Sequence, residues 1–389
     1  MKSVATRKRK KQGDYFFDYT LLFIVLFLLG FGLIMVYSTS FYDASMTASL
    51  NYDGAYYLKH QAMAAVLGLA AMMVVSRIPY HFWEHFALLG YLVSAVLIAL
   101  VLTPLGITAN GATRWLNLGV SVQPAEIAKL CMILFLASFI CKIGKGIRSF
   151  RGFFLVLALP LPICLMVWQI TDNMSSAIII FGIAFLMLFV ASPEYKRFLL
   201  LGAAGIAVAV FAVFAILQMD RMGNSLDFRS NRILAWLNPE QYATGTGFQT
   251  LQSLYAIGSG GIFGKGLGQS MQKLGFLPEA QNDMIFSIIC EELGLFGGIA
   301  VILLFILLCW RFMVIANNAS DLFGALLVVG VMGHIAIQVI LNIAVVTNTI
   351  PNTGISLPFI SYGGSSVMFL LIEIGLVMSV ARGIRLKAV

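Results

Sequence analysis

Residues 275–286 read GFLPEAQNDMIF and gather Glu279, Gln281, Asn282 and Asp283 immediately ahead of the apolar run MIFSIIC. A carboxylate placed there has two readings. Asp and Asn are favoured helix N-caps, so Asn282 or Asp283 closes the first turn of the helix that follows. In the other reading Asp283 stands at the mouth of a polar cavity as a general base. Desolvation there raises its pKa, while a helix N-terminus and nearby cations lower it. The ionised form is the one a base needs. Cations are at hand, because Arg229, Arg232, Lys265 and Lys273 belong to the same hydrophilic stretch. Guanidinium geometry suits a phosphate or pyrophosphate clamp; ordinary surface charge beside anionic lipid is the alternative. Glu279 is grouped with these residues as a candidate substrate contact.

Further polar side chains fall inside apolar blocks. Glu126 and Lys129 of VQPAEIAKL are spaced i, i+3, so they share a helix face and can neutralise each other. A lone charge in hydrocarbon is expensive and marks function by default, whereas pairing weakens that inference. Gln338 and Asn342 form a second polar pair at i, i+4, and both pairs are candidates either for structural bonding or for lining one polar central cavity. Glu291 and Glu292 lie inside another block, and His334 reads as a hydrogen-bonded packing residue.

The run GSGGIFGKGLGQS, residues 258–270, invites a phosphate-loop reading and fails it on spacing. No glycine precedes Gly264 by five positions, and Gly266 stands where Ser or Thr is needed. A flexible re-entrant or hinge segment, or backbone N–H groups meeting an anionic lipid headgroup, are the readings left.

The elements that must hold these residues follow from composition. Hydrophobic residues make up 60% of the 389, charged residues only 11%, and the mean hydropathy is +0.92. Soluble domains carry roughly 25% charged residues, and the apolar residues here fall in blocks of the length that spans hydrocarbon as a helix. The chain therefore reads as an all-α polytopic integral membrane protein. Ten spans are expected at about 19–38, 61–78, 86–104, 124–141, 153–170, 175–192, 198–217, 284–312, 322–349 and 365–381. The net charge of +8 concentrates in short segments flanking these blocks, as topology signals do, which disfavours nucleic acid as a partner. Five cysteines without ligand spacing give neither a disulfide framework nor a zinc site. The first block is long enough to span and no small-residue cleavage site follows it, so it reads as a span rather than a leader.

An even number of spans puts both termini on one side, and RKRKK near the N-terminus with ARGIRLK near the C-terminus makes that side cytoplasmic. The expected organisation is a basic segment 1–18, a ten-helix membrane domain 19–381 and a short tail 382–389. The long hydrophilic stretch 218–283, between spans seven and eight, then lies outside. So do NGATRW, TDNMSS and PNTGISLPFISYGGSS. Chemistry is therefore expected on the external face.

Several segments together carry a resemblance: MVYSTS, NGATRWLNLG, SVQPAEIAKL, FRSNRILAWLNP, TGFQTLQSLYAIGSGGIFGKGLGQS, LPEAQNDMIFSIICEELG and LPFISYGGSS. In this order they resemble the SEDS proteins, the RodA/FtsW/SpoVE family of bacterial cell-wall synthases, from about residue 18 to 380, with a lean towards the FtsW/SpoVE branch. The resemblance implies a peptidoglycan glycosyltransferase that joins lipid II units outside the cytoplasmic membrane and releases undecaprenyl pyrophosphate. It implies Asp283 as the essential carboxylate, matches Glu126 and Lys129 to the family's Glu and Lys, and matches Arg229, Arg232 and Lys273 to cations of the large loop. A class B penicillin-binding protein is the implied partner, other division proteins among its associates and the septum a possible address. A divalent cation, Mg2+ or Mn2+, is an optional aid with no dedicated ligand set. Two departures stand out: Gln281-Asn282 replaces the family's His-Thr, and Asn173 stands where an Asp is usual. A lipid II flippase and a non-catalytic scaffold are the competing classes.

Overall fold

The computed structural model describes residues 17–109, 111–117, 119–222 and 228–384. Its helices are α1 (Tyr19–Met46), α2 (Tyr56–Arg77), a short α3 (Tyr80–Glu84) and α4 (Ala87–Leu100). Three strands follow, β1 (Gly106–Ala109), β2 (Ala112–Asn117) and β3 (Ser121–Val122). Then come α5 (Pro124–Ile143), α6 (Phe150–Ala158), α7 (Leu161–Ile170), α8 (Met174–Ala191) and α9 (Tyr195–Arg221). The remainder is α10 (Phe228–Leu237), α11 (Phe248–Gly260), α12 (Ile285–Asn317), α13 (Leu322–Val346) and α14 (Gly364–Arg382).

Among the described residues, nine helical segments are long and apolar enough to cross a membrane, with α6 and α7 counted as one. The remaining expected span, 86–104, corresponds to α4, whose 14 residues reach roughly 21 Å at 1.5 Å per residue. Pro160 divides α6 from α7, since proline offers no N–H to continue the ladder. The helices meet through small residues. On α2 and α14, Gly68 and Gly375 sit where an added Cβ would lie 2.6 Å from Leu371 and 2.8 Å from the Met72 carbonyl. On α5 and α13, Gly330 faces Ile133 at 2.6 Å in the same sense. Such contacts let helices approach closely where lipid provides no hydrophobic drive between them. By contrast α9 stands off the bundle, with no residue of its most apolar window buried. Only Phe198 near its start is covered, against the rings of Phe153, Phe185 and Phe189.

Two features depart from the sequence reading. The chain is not purely helical, because β1, β2 and β3 form an antiparallel sheet in that order between α4 and α5. Arg114 of β2 ties it to the α7–α8 turn by donating to the Thr171 and Asp172 carbonyls at 3.3 and 2.9 Å. There Asn173 caps α8, its side chain accepting from Ser176 N–H at 3.0 Å. The second departure is α12, whose 33 residues break at Gly294 (φ +69°, ψ −166°). Residues 285–292 before the break are buried throughout, so this portion is enclosed by protein; beyond it apolar side chains such as Leu295, Phe296, Leu303 and Ile306 are exposed.

The glycine-rich run explains the break. Residues 261–266 lie along α12 in a strand-like pairing: Lys265 N–H and Gly266 N–H donate to the Glu291 and Glu292 carbonyls at 2.9 Å, and Leu295 N–H donates to the Gly261 carbonyl at 3.0 Å. Gly264 and Gly294 both have positive φ, and a Cβ on either would fall within 2.3 Å of backbone atoms of the other segment. The run is thus a docked backbone rather than a hinge, and these two N–H groups are spent on α12 instead of an anion.

Candidate active site

Asp283 ends the segment that leads into α12. It does not cap that helix: Met284 occupies the cap position and no side chain bonds the first turn. The half-buried Asp283 is instead gathered among four elements. From α11, Gln249 Nε2 reaches its Oδ1 at 3.5 Å and also donates to the Pro278 carbonyl at 3.2 Å. From the loop between α13 and α14, Gly354 packs so that a Cβ on it would lie 3.6 Å from Asp283 Oδ2. From α13, Asn342 Nδ2 donates to the Asp283 carbonyl at 2.8 Å. From α10, Arg232 exerts an attractive field on the carboxylate and donates to the Asn352 carbonyl at 3.3 Å. Asn352 closes the ring by donating to Gln249 Oε1 at 2.8 Å.

Burial pushes the Asp283 carboxyl up to about 7, and the negative charge of Glu279 adds to that rise; a hydrogen bond to its own backbone and Arg232 oppose it. Glu279 holds a left-handed backbone (φ +55°) and accepts from the Asn282 side chain. Ser361 Oγ donates to the Asn282 carbonyl at 2.6 Å and Tyr362 N–H to the Gln281 carbonyl at 2.9 Å, so the loop 347–363 grips the QND tripeptide through its backbone. That grip is indifferent to the side chains at 281 and 282.

The structure separates the other expected residues. Lys265 Nζ lies 2.6 Å from Glu291 Oε1, and Lys273 Nζ lies 2.7 Å from Glu292 Oε1 and 2.9 Å from Ser38 Oγ of α1. Glu291 also accepts from the Ser270 hydroxyl and from the N–H groups of Met271 and Gln272. Both lysines therefore neutralise buried glutamates roughly 12–14 Å along the chain axis from Asp283, rather than joining Arg232 around it. A charge enclosed by protein needs a partner, and Glu291 and Glu292 are fully buried. The side chain of Arg229 lies outside the described residues.

Glu126 and Lys129 of α5 form an ion pair at 2.8 Å, both buried, with Ser366 Oγ of α14 at 3.4 Å from Glu126. Gln338 and Asn342 of α13 do a different job. Gln338 Nε2 donates to the Ser356 carbonyl at 3.0 Å, and Asn342 Nδ2 to the Ile355 carbonyl at 2.6 Å, so they fasten the loop above them. His334 pairs with Glu373 at 2.8 Å, as a hydrogen-bonded packing residue would. Sequence reasoning passed over Gln249, Asn352 and Gly354. Their segments, TGFQTLQS and PNTGIS, were visible as external polar stretches, but nothing local says that they meet. Among the described residues no three His, Cys, Asp or Glu side chains group as metal ligands.

The chain is similar to known proteins over nearly its whole length. The family model described as cell cycle protein, which covers FtsW, RodA and SpoVE, spans residues 19–385. Stage V sporulation protein E of Bacillus subtilis is 41% identical, the alignment covering 94% of this chain and 97% of that protein. A probable peptidoglycan glycosyltransferase FtsW of Trichlorobacter lovleyi is 39% identical over 98% and 96% of the two chains. Among solved structures, a chain described under structural coordination of polymerization and crosslinking by a peptidoglycan synthase complex superposes with a TM-score of 0.76 at 27% identity, covering 94% of this chain and 98% of that one. The rod shape determining protein RodA of Thermus thermophilus gives 0.65 at 26%, covering 96% and 98%. The chain is a membrane protein of the FtsW/RodA/SpoVE family.

Proposed function

We propose that the chain is a peptidoglycan glycosyltransferase that polymerises lipid II, with Asp283 as its general base. The activity is the one named for its FtsW relatives. The observation that carries the residue assignment is the enclosure of Asp283 by Gln249, Gly354, Arg232 and the backbone grip of the 347–363 loop. In this reading Asp283 takes the proton of the acceptor's GlcNAc 4-hydroxyl. The oxygen attacks the anomeric carbon of the donor strand, and the bond to the lipid pyrophosphate breaks with its electron pair leaving on the pyrophosphate. Direct displacement inverts an α-linked donor to a β-1,4 product. Arg232 offsets the charge that develops on the leaving group, with Arg229 beside it in sequence.

The same reading puts this site on the outer face of the cytoplasmic membrane, both termini inside, and a class B penicillin-binding protein alongside to crosslink the product. Resemblance to a chain from a synthase complex supports such a partner. The test is lipid II polymerisation by purified Asp283→Asn protein with the transpeptidase present. A correctly folded variant that polymerises normally ends the assignment.

A further inference from the structure

Asn342 is fully buried in the largely apolar helix α13, and its Oδ1 has no hydrogen-bond partner among the described residues. Burying an amide with an unpaired oxygen carries a penalty, so the residue's presence requires a compensating role. Both hydrogens of its Nδ2 are spent on main-chain carbonyls from different segments: Asp283 at 2.8 Å and Ile355 at 2.6 Å. Ile355 follows Gly354, the residue whose backbone faces the Asp283 carboxylate. One turn below, Gln338 holds the next carbonyl, that of Ser356, at 3.0 Å.

We propose that Asn342 is a positioning residue, a bolt that fixes the Asp283 backbone against the 351–356 loop and so sets both the aim of the carboxylate and how far the loop shields it from water. The proposal rests on the reading of Asp283 as the base. The ionisable groups facing that carboxylate are Glu279 on its own segment and Arg232 from α10; α11 contributes the neutral Gln249, and residues 351–356 contribute none. Loosening the loop therefore changes mainly solvent access. Burial is the first cause holding this carboxyl near 7, so admitting water moves it back towards the ordinary range.

The test uses the full-length protein with lipid II as probe, comparing Asn342→Ala, which removes both donors, with Asn342→Ser, which keeps one. Turnover, KM and the acid limb of the pH profile are measured alongside thermal unfolding. Displacing a base by about 1 Å costs on the order of a hundredfold, so kcat falls by about that factor in the Ala variant and less in the Ser variant. KM changes little, and the acid limb moves to lower pH. Folded variants with unchanged kcat and an unchanged limb overturn the proposal. So does failure of both variants to fold, which would make Asn342 a purely structural residue. Asp283→Asn in the same assay separates the levels. If that variant remains active, the base assignment itself fails; if it is dead while Asn342→Ala is normal, only the positioning role fails.

Discussion

Replacing Lys273 by Met distinguishes a structural cation from a substrate clamp. Lys273 is only 8% exposed and its Nζ sits 2.7 Å from Glu292 Oε1, on a glutamate with no exposed surface. Once the ammonium is gone, Glu292 retains the Ser38 hydroxyl, at 2.8 and 3.0 Å from its two oxygens. One hydroxyl does not offset a buried carboxylate, and breaking one side of such a pair costs about 3–5 kcal/mol. Removing both charges in Lys273→Met/Glu292→Gln leaves a neutral amide beside an apolar chain, and most of the loss is recovered because a neutralised pair no longer carries the desolvation of an ion. Thermal unfolding in detergent, followed by tryptophan fluorescence, reads the stability, and polymerisation per folded molecule reads the activity. The expected pattern is a large fall in stability for the single variant, recovery in the double, and near-normal specific activity in the double. A stable double variant that cannot polymerise would refute the reasoning and return Lys273 to the pyrophosphate.

Further outcomes follow from the same geometry. With its carboxyl at about 7 instead of 3.8, Asp283 ionises late, so polymerisation should rise with pH through about 7. Arg232→Gln, which removes an opposing charge, should move that limb higher. The raised value also means that Asp283 stabilises the fold fully below 3.8 and that this contribution is lost as pH climbs to about 7; urea titrations of wild type and Asp283→Asn across that window measure it. Gly294→Ala places a Cβ 2.3 Å from the Gly264 nitrogen at a φ of +69°, and strain of this kind costs about 1–3 kcal/mol before any displacement of the docked loop. Unchanged unfolding would contradict the pairing. Asn173→Asp keeps an oxygen for the Ser176 N–H and should leave stability unchanged, whereas Asn173→Ala should lose about 0.5–2 kcal/mol.

How far the sequence reached depended on whether the governing interaction was local. The Glu126–Lys129 pair was legible because an i, i+3 spacing puts two side chains on one face of one helix, and 2.8 Å is where it ends. The small sheet had a local signal too, Asn110-Gly111 between alternating residues, a hairpin signature that the search for apolar blocks passes over. Lys265 and Lys273 read from the sequence as a clamp or as surface charge, and their pairing with Glu291 and Glu292 lay hidden because those partners are far enough along the chain that only the folded path brings them together. The glycine-rich run misled for the same reason. Its glycines answer to the backbone of α12, and no spacing within the run reveals that.

Composition and block length by themselves determined a multispan helical membrane protein, and motif order along the chain determined its family, because both are properties of contiguous residues. The tertiary structure alone decided which polar groups share a site. It took Asp283 away from the cap of α12 and set it under Gly354 beside Gln249, and it gave the two lysines to buried glutamates. Desolvation and charge pairing act through space, so a carboxylate's role is fixed by the segments folded over it, and these lie more than 30 residues away on one side and about 70 on the other.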